Sequence, residues 1–109
     1  MFKRMATLLV GVLAALALTA LPAAAATGQI TGYGGKCVDV AAANSANGTK
    51  VQIYACNGSV AQQWTIGADG TIRALGKCLD ATGPSSADGT PLQIWDCTGG
   101  ANQQWTIPI

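Results

Sequence analysis

The chain reads as a small all-β domain built from two four-stranded repeats of about 41 residues, behind an export leader. Three observations predict this class. The sequence overlays on itself without a gap when shifted by 41 residues, which marks an internal duplication. Apolar and polar residues alternate in short runs, and no window carries the 3.6-residue apolar spacing of an amphipathic helix. Turn dipeptides interrupt those runs at short intervals: Asn47-Gly48, Asn57-Gly58, Asp69-Gly70, Gly83-Pro84, Asp88-Gly89 and Gly99-Gly100.

The first element is the leader, expected over residues 1–26. Lys3 and Arg4 form a positive start, Met5 to Leu21 is uncharged and mostly apolar, Pro22 breaks the run, and Ala23–Ala26 supplies small residues for a signal peptidase. An uncleaved membrane anchor is the alternative, since the run is long enough to span. Its dilution by alanine and the lack of a cationic stop behind it favour cleavage. Export predicts an extracellular protein whose cysteines can pair.

Residues 27–109 carry four cations and five anions, a net charge of −1. Such a balance offers no electrostatic footprint for nucleic acid or an anionic membrane. The chain has neither histidine nor glutamate, which removes the commonest general base, the Ser-His-Asp and Cys-His arrangements and most zinc sites. No metal or cofactor is expected. A domain this small holds a modest core and calls for added stabilisation.

The repeats are expected over about 28–68 and 69–109. Gly35-Lys36-Cys37 meets Gly76-Lys77-Cys78, Asp39 meets Asp80, Gln52-Ile53 meets Gln93-Ile94, and Cys56 meets Cys97. Gln62-Gln63-Trp64-Thr65-Ile66 meets Gln103-Gln104-Trp105-Thr106-Ile107. Between Gly35 and Ile66, 17 of 32 positions are identical, far beyond chance. The predicted strands of the first repeat are 29–31, 37–40, 51–54 and 63–66; those of the second are 71–74, 78–81, 92–95 and 104–107. Asp69-Gly70, between the repeats, reads as a hairpin turn.

Four cysteines allow three pairings. Because both repeats use the same spacing, Cys37–Cys56 and Cys78–Cys97 is the simplest choice. Each bridge would tie the second strand of a repeat to the end of its third. Closing a loop of that size stabilises by roughly 3 kcal/mol if it acts through the unfolded chain.

Two sets of residues suggest chemistry. Trp64 and Trp105 recur once per repeat and are expected in a shared core. The second set is polar: Asp39, Gln52, Tyr54 and Gln62 in one repeat, and Asp80, Gln93, Trp95, Asn102 and Gln103 in the other. Gln52 and Tyr54 share one face of a strand, opposite Val51 and Ile53, as Gln93 and Trp95 do opposite Leu92 and Ile94. An aspartate, an amide and an exposed aromatic suit a neutral sugar. The ring covers the apolar face of a pyranose, while carboxylate and amide take adjacent hydroxyls. On the alternative reading the aspartates hold turn backbone and the glutamines face solvent.

At these residues the chain resembles the ricin-type lectin family, also called carbohydrate-binding module family 13. The resemblance lies in Cys78-Leu79-Asp80, Gln93-Ile94-Trp95-Asp96-Cys97 and Asn102-Gln103-Gln104-Trp105, with a less complete match at Cys37-Val38-Asp39, Gln52-Ile53-Tyr54-Ala55-Cys56 and Gln62-Gln63-Trp64. It implies a β-trefoil and a sugar pocket of Asp80, Gln93, Trp95, Asn102 and Gln103, with Trp95 as stacking platform. A weaker pocket would use Asp39, Gln52, Tyr54 and Gln62. It implies the same two disulfides, and galactose- or xylose-type units of polysaccharides or glycoconjugates as ligands.

Two departures stand out. Ala61 occupies the place of Asn102 in the first repeat, and two repeats stand where a trefoil has three. Two thirds of a barrel exposes strand edges and core, which predicts either a truncated product or copies that associate to complete the trefoil. The leading function is a secreted sugar-binding module without catalysis. The competing readings are a protein-binding or inhibitory trefoil and a remnant of a larger secreted glycoside hydrolase.

Overall fold

The structure is a computed structural model that describes residues 26–108. The expected leader lies outside the described residues except for Ala26, which opens the first strand. Among the described residues, seven strands follow one another: β1 (Ala26–Gly28), β2 (Cys37–Val40), β3 (Val51–Tyr54), β4 (Trp64–Ile66), β5 (Ile72–Ala74), β6 (Lys77–Ala81) and β7 (Leu92–Trp95). β1, β4, β5, β6 and β7 form one sheet in that order, and β2 and β3 form a separate hairpin.

The duplication is visible in the register. Cys37 faces Tyr54 and Asp39 faces Gln52 across β2–β3; Cys78 faces Trp95 and Asp80 faces Gln93 across β6–β7. Both disulfides form as the repeat spacing predicts, Cys37–Cys56 and Cys78–Cys97, with Cα atoms 5.0 and 5.1 Å apart. The turn between the repeats is the expected hairpin, joining β4 to β5 with Ile66 opposite Ile72. Asp69 holds it. Its carboxylate accepts the Thr71 hydroxyl at 2.6 Å and the Thr71 N–H at 3.1 Å. Those bonds, with the Arg73 guanidinium nearby, hold the Asp69 carboxyl below its ordinary range.

The core gathers Val40, Ala61, Trp64, Ile72, Ala74, Leu79 and Ile94. Each conserved-register tryptophan also donates one bond inward: Trp64 Nε1 to the Val38 carbonyl at 2.9 Å and Trp105 Nε1 to the Leu79 carbonyl at 3.1 Å. Trp64 is buried as expected, whereas Trp105 is only half-buried against the core.

Two expectations need correction. The first strand lies at Ala26–Gly28, against Trp64–Ile66, and not at 29–31; Thr31 makes only an isolated bridge to Cys37. Residues 104–107 form no strand. Trp105 donates its N–H to the Gly70 carbonyl at 2.9 Å, but no strand flanks the segment on its other side among the described residues. β4, by contrast, lies between β1 and β5. Among the described residues, four 3-10 turns break the loops, at Tyr33–Gly35, Ala41–Ala43, Val60–Gln62 and Ala101–Gln103. The last two are equivalent turns that deliver Gln62 and Gln103 to the hairpins.

Candidate functional site

The site of the second repeat is assembled on the β6–β7 hairpin. Asp80 and Gln93 are directly opposed, and Trp95 follows Gln93 on the same face. The 3-10 turn Ala101–Gln103 brings two further amides to Asp80. Asp80 Oδ1 accepts from Gln93 Nε2 at 2.9 Å. Its Oδ2 accepts from Asn102 Nδ2 and from Gln103 Nε2, both at 2.9 Å. Three donated bonds thus fix the carboxylate, and Oδ1, which takes only one, keeps capacity for another donor. The aspartates therefore engage side-chain amides and do not hold turn backbone.

Asp80, Gln93, Trp95 and Asn102 line one cavity of about 610 Å3, together with Thr82, Gly83, Pro84, Thr98 and Gly100. Trp95 is 40% exposed, open enough to offer a ring face. Asn102 gives both of its N–H bonds to the protein, the second to the Ala81 carbonyl at 3.1 Å, so what it presents outward is an acceptor oxygen.

Gln103 departs from its expected place. It is fully buried and lines no part of the cavity. Its Nε2 also donates to the Asp96 carbonyl at 2.9 Å, and its Oε1 accepts the Thr98 N–H at 2.8 Å. With every polar atom engaged, it supports Asp80 from beneath. Gln62 is the same correction in the first repeat. It is fully buried, donating to Asp39 Oδ2 and the Ala55 carbonyl at 2.9 Å each and accepting from Asn57 N–H at 2.8 Å. Neither glutamine faces solvent, as the alternative reading held. A buried, fully bonded amide costs little, whereas an unpartnered one is expensive.

The first repeat brings Asp39, Gln52 and Tyr54 together in a smaller cavity of about 240 Å3, with Ala42, Ala43 and Ala61 on its walls. Gln52 donates to Asp39 Oδ1 at 3.1 Å. Ala61 offers no amide, so Asp39 accepts two side-chain bonds where Asp80 accepts three. Ala42 and Ala43 adopt φ of 56° and 53°, a left-handed backbone that costs alanine roughly 1 kcal/mol or more per residue. Their counterparts are Gly83 and Pro84, so the cavity walls differ where the duplication has diverged. Thr82, Gly83, Pro84, Thr98 and Gly100 were not among the predicted site residues; the signal that marks Gly83 and Pro84 is a turn dipeptide standing where the other repeat has alanines.

Among the described residues, no group of three or more His, Cys, Asp or Glu side chains is placed to hold a metal.

Comparisons with known proteins identify the family. The ricin-type β-trefoil lectin domain matches residues 26–108. The chain is 44% identical over 50 residues to a seed lectin of Trichosanthes anguina, covering 46% of the chain and 10% of the lectin. It is 52% identical over 40 residues to a glucan endo-1,3-β-glucosidase of Cellulosimicrobium cellulans, covering 37% of the chain and 7% of that enzyme. The chain therefore spans a tenth or less of the length of these relatives. Among solved structures it is similar to a non-toxic homologue of type II RIPs from Momordica charantia in complex with α-methyl-D-galactoside. That likeness has a TM-score of 0.63 and 40% identity, over 68% of this chain and 28% of the other. An all-β fold of duplicated hairpins, the Gln-x-Trp placement and the match across residues 26–108 together establish that the chain belongs to the ricin-type β-trefoil lectin domain family.

Proposed function

We propose that the chain is a secreted module that binds galactose- or xylose-type units of polysaccharides or glycoconjugates, without catalysis. One observation carries this reading: the carboxylate of Asp80, held by three donated N–H bonds, lies in one cavity with the half-exposed ring of Trp95. Trp95 covers the C–H face of a pyranose. Asp80 Oδ1 accepts one hydroxyl, the second N–H of Gln93 donates to its neighbour, and Asn102 Oδ1 accepts a third. The groups are fixed before ligand arrives, which spares ordering entropy. The site is open and shallow, so a single sugar binds with a dissociation constant on the order of 0.1–1 mM. Retention on a polymer arises from several such contacts acting together.

The match to a galactoside-bound homologue supports a galactose-type ligand, and the lectin relative supports sugar binding as such. One observation speaks against hydrolysis by this chain. Glycosidases set two carboxyl groups about 5–10 Å apart around one cleft, whereas Asp39 and Asp80 line separate cavities. Paired cysteines and the leader expected from the sequence support an extracellular location.

The test is retention of the secreted protein on galactose- and xylose-bearing polysaccharides, with elution by free sugar. Elution by galactose or xylose, and not by an ionic-strength step, is the expected result. A protein that passes through both matrices, or leaves them only with salt, contradicts the reading.

A further inference from the structure

The residues on either side of Trp95 are gripped by the other repeat. Gly48 N–H donates to the Ile94 carbonyl at 2.9 Å, and Ile94 N–H donates to the Thr49 carbonyl at 3.0 Å. On the far side of Trp95, Asp96 N–H donates to Asn47 Oδ1 at 2.8 Å, and Asn47 Nδ2 donates to Asp96 Oδ2 at 2.9 Å. Three consecutive residues of the first repeat, Asn47, Gly48 and Thr49, thus hold the backbone that carries the aromatic ring of the second.

The same loop lies against the ring. Gly48 has φ +89°, and a Cβ built there would stand 3.7 Å from Trp95 Cζ3 and 3.8 Å from Gln93 Oε1. The loop backbone therefore lies within van der Waals reach of the two groups that face the cavity. Lys77 fastens the loop from the second repeat, its ammonium donating to the Ser45 carbonyl at 2.7 Å and lying 3.9 Å from Asp96 Oδ1.

The first repeat's own pocket lacks this support. The loop equivalent to Asn44–Lys50 is Ser85–Pro91, and it has the same shape. Thr49 and Thr90 donate their N–H to Ala46 and Ala87 at 3.2 Å each, and Gly89 has φ +85°. Among the described residues it grips no strand, and Ile53 and Ala55, which flank Tyr54, receive no equivalent bonds. Tyr54 stands 55% exposed.

We infer that the loop Asn44–Lys50 is a positioning element of the second repeat's pocket, with Asn47 as its principal residue, so that a sugar site on one repeat is completed by the other. The sugar half of this inference rests on the function proposed above; the positioning half does not. The pocket difference between the repeats then has two sources, the absent amide at Ala61 and, among the described residues, the lack of such a loop beside Tyr54.

The test is a polarity swap across the 2.9 Å contact. Asn47→Asp sets a carboxylate against Asp96 and removes a donated bond. Adding Asp96→Asn gives back an amide–carboxylate pair with its direction reversed. Two properties are read on the full chain: titration with galactose and with xylose, and iodide quenching of tryptophan emission without sugar. Trp64 is buried, Trp105 half-buried and Trp95 40% exposed, so a quenching change confined to Trp95 disappears in a Trp95→Phe background.

Asn47→Asp is expected to weaken sugar binding about five-fold, the scale of one lost bond, and to change Trp95 quenching. The double substitution is expected to restore both to within about two-fold. Unchanged quenching and affinity in Asn47→Asp overturn the inference. So does a double variant that regains its unfolding midpoint but neither the quenching nor the affinity, since Asn47 would then be structural only. Should the wild type bind neither sugar, the proposed function fails. The quenching change and its recovery still decide the positioning role.

Discussion

Ile53 and Ile94 hold the same place in the two repeats, yet Ile94 is fully buried and Ile53 is 56% exposed. Each faces an apolar partner across its hairpin, Val38 and Leu79 respectively. Ile94 packs in the core and the loop Asn44–Lys50 bonds its backbone, whereas among the described residues no loop bonds Ile53 in that way. Tyr33, Tyr54 and Val60, also of the first repeat, are exposed with it.

These exposed apolar side chains predict that copies of the chain associate. Removing apolar surface from water is favourable by about 25 cal/mol per Å2, and the open edge of β3 offers backbone bonds as well. Light scattering of the residues 27–109 protein should show a mass above one chain at high concentration. Ile53→Asp should weaken that association at least ten-fold, about 1.4 kcal/mol. A monomer at every concentration would refute the expectation.

Reduction should unfold the domain readily. Two bridges in a chain this short each contribute roughly 3 kcal/mol, and 1 kcal/mol moves the midpoint of such a domain by about 4–8 °C. Thermal melts followed by circular dichroism should drop by more than 10 °C in reductant, on that same scale. Coincident melts would show that the core stands without its bridges.

Gln103 should behave as a core residue. Gln103→Ala strands the Thr98 N–H and takes two donors from Asp80 and the Asp96 carbonyl, at a cost of about 2–3 kcal/mol. Gln63→Ala, at an exposed neighbour of its counterpart, should stay within about 0.5 kcal/mol. Equal losses in chemical denaturation would contradict the burial argument.

Much of this was legible in the residues. The 41-residue shift carries the register of both hairpins, the disulfides and the convergence of Asp80, Gln93 and Trp95, because a strand's two-residue period dictates which side chains share a face. Burial of Gln62 and Gln103 was not legible. A glutamine beside a strand looks like any solvent-facing one, and only the Asp80, Asp96 and Thr98 atoms around it show that it is satisfied inside. Residues 104–107 carry a good strand pattern, but a ladder needs partners, and pattern alone does not supply them. The grip of Asn47 on Asp96 joins positions 49 residues apart and follows no local period.

The most direct test of the account compares Asp80→Ala with Asp39→Ala in sugar titration. Asp80 is held by three amides in the larger cavity, Asp39 by two in the smaller. The missing amide alone weakens the first pocket roughly two- to ten-fold. Asp80→Ala should therefore abolish most of the binding while Asp39→Ala leaves most of it in place. Equal losses would contradict the ranking of the two pockets, and undiminished binding in both would contradict the site itself.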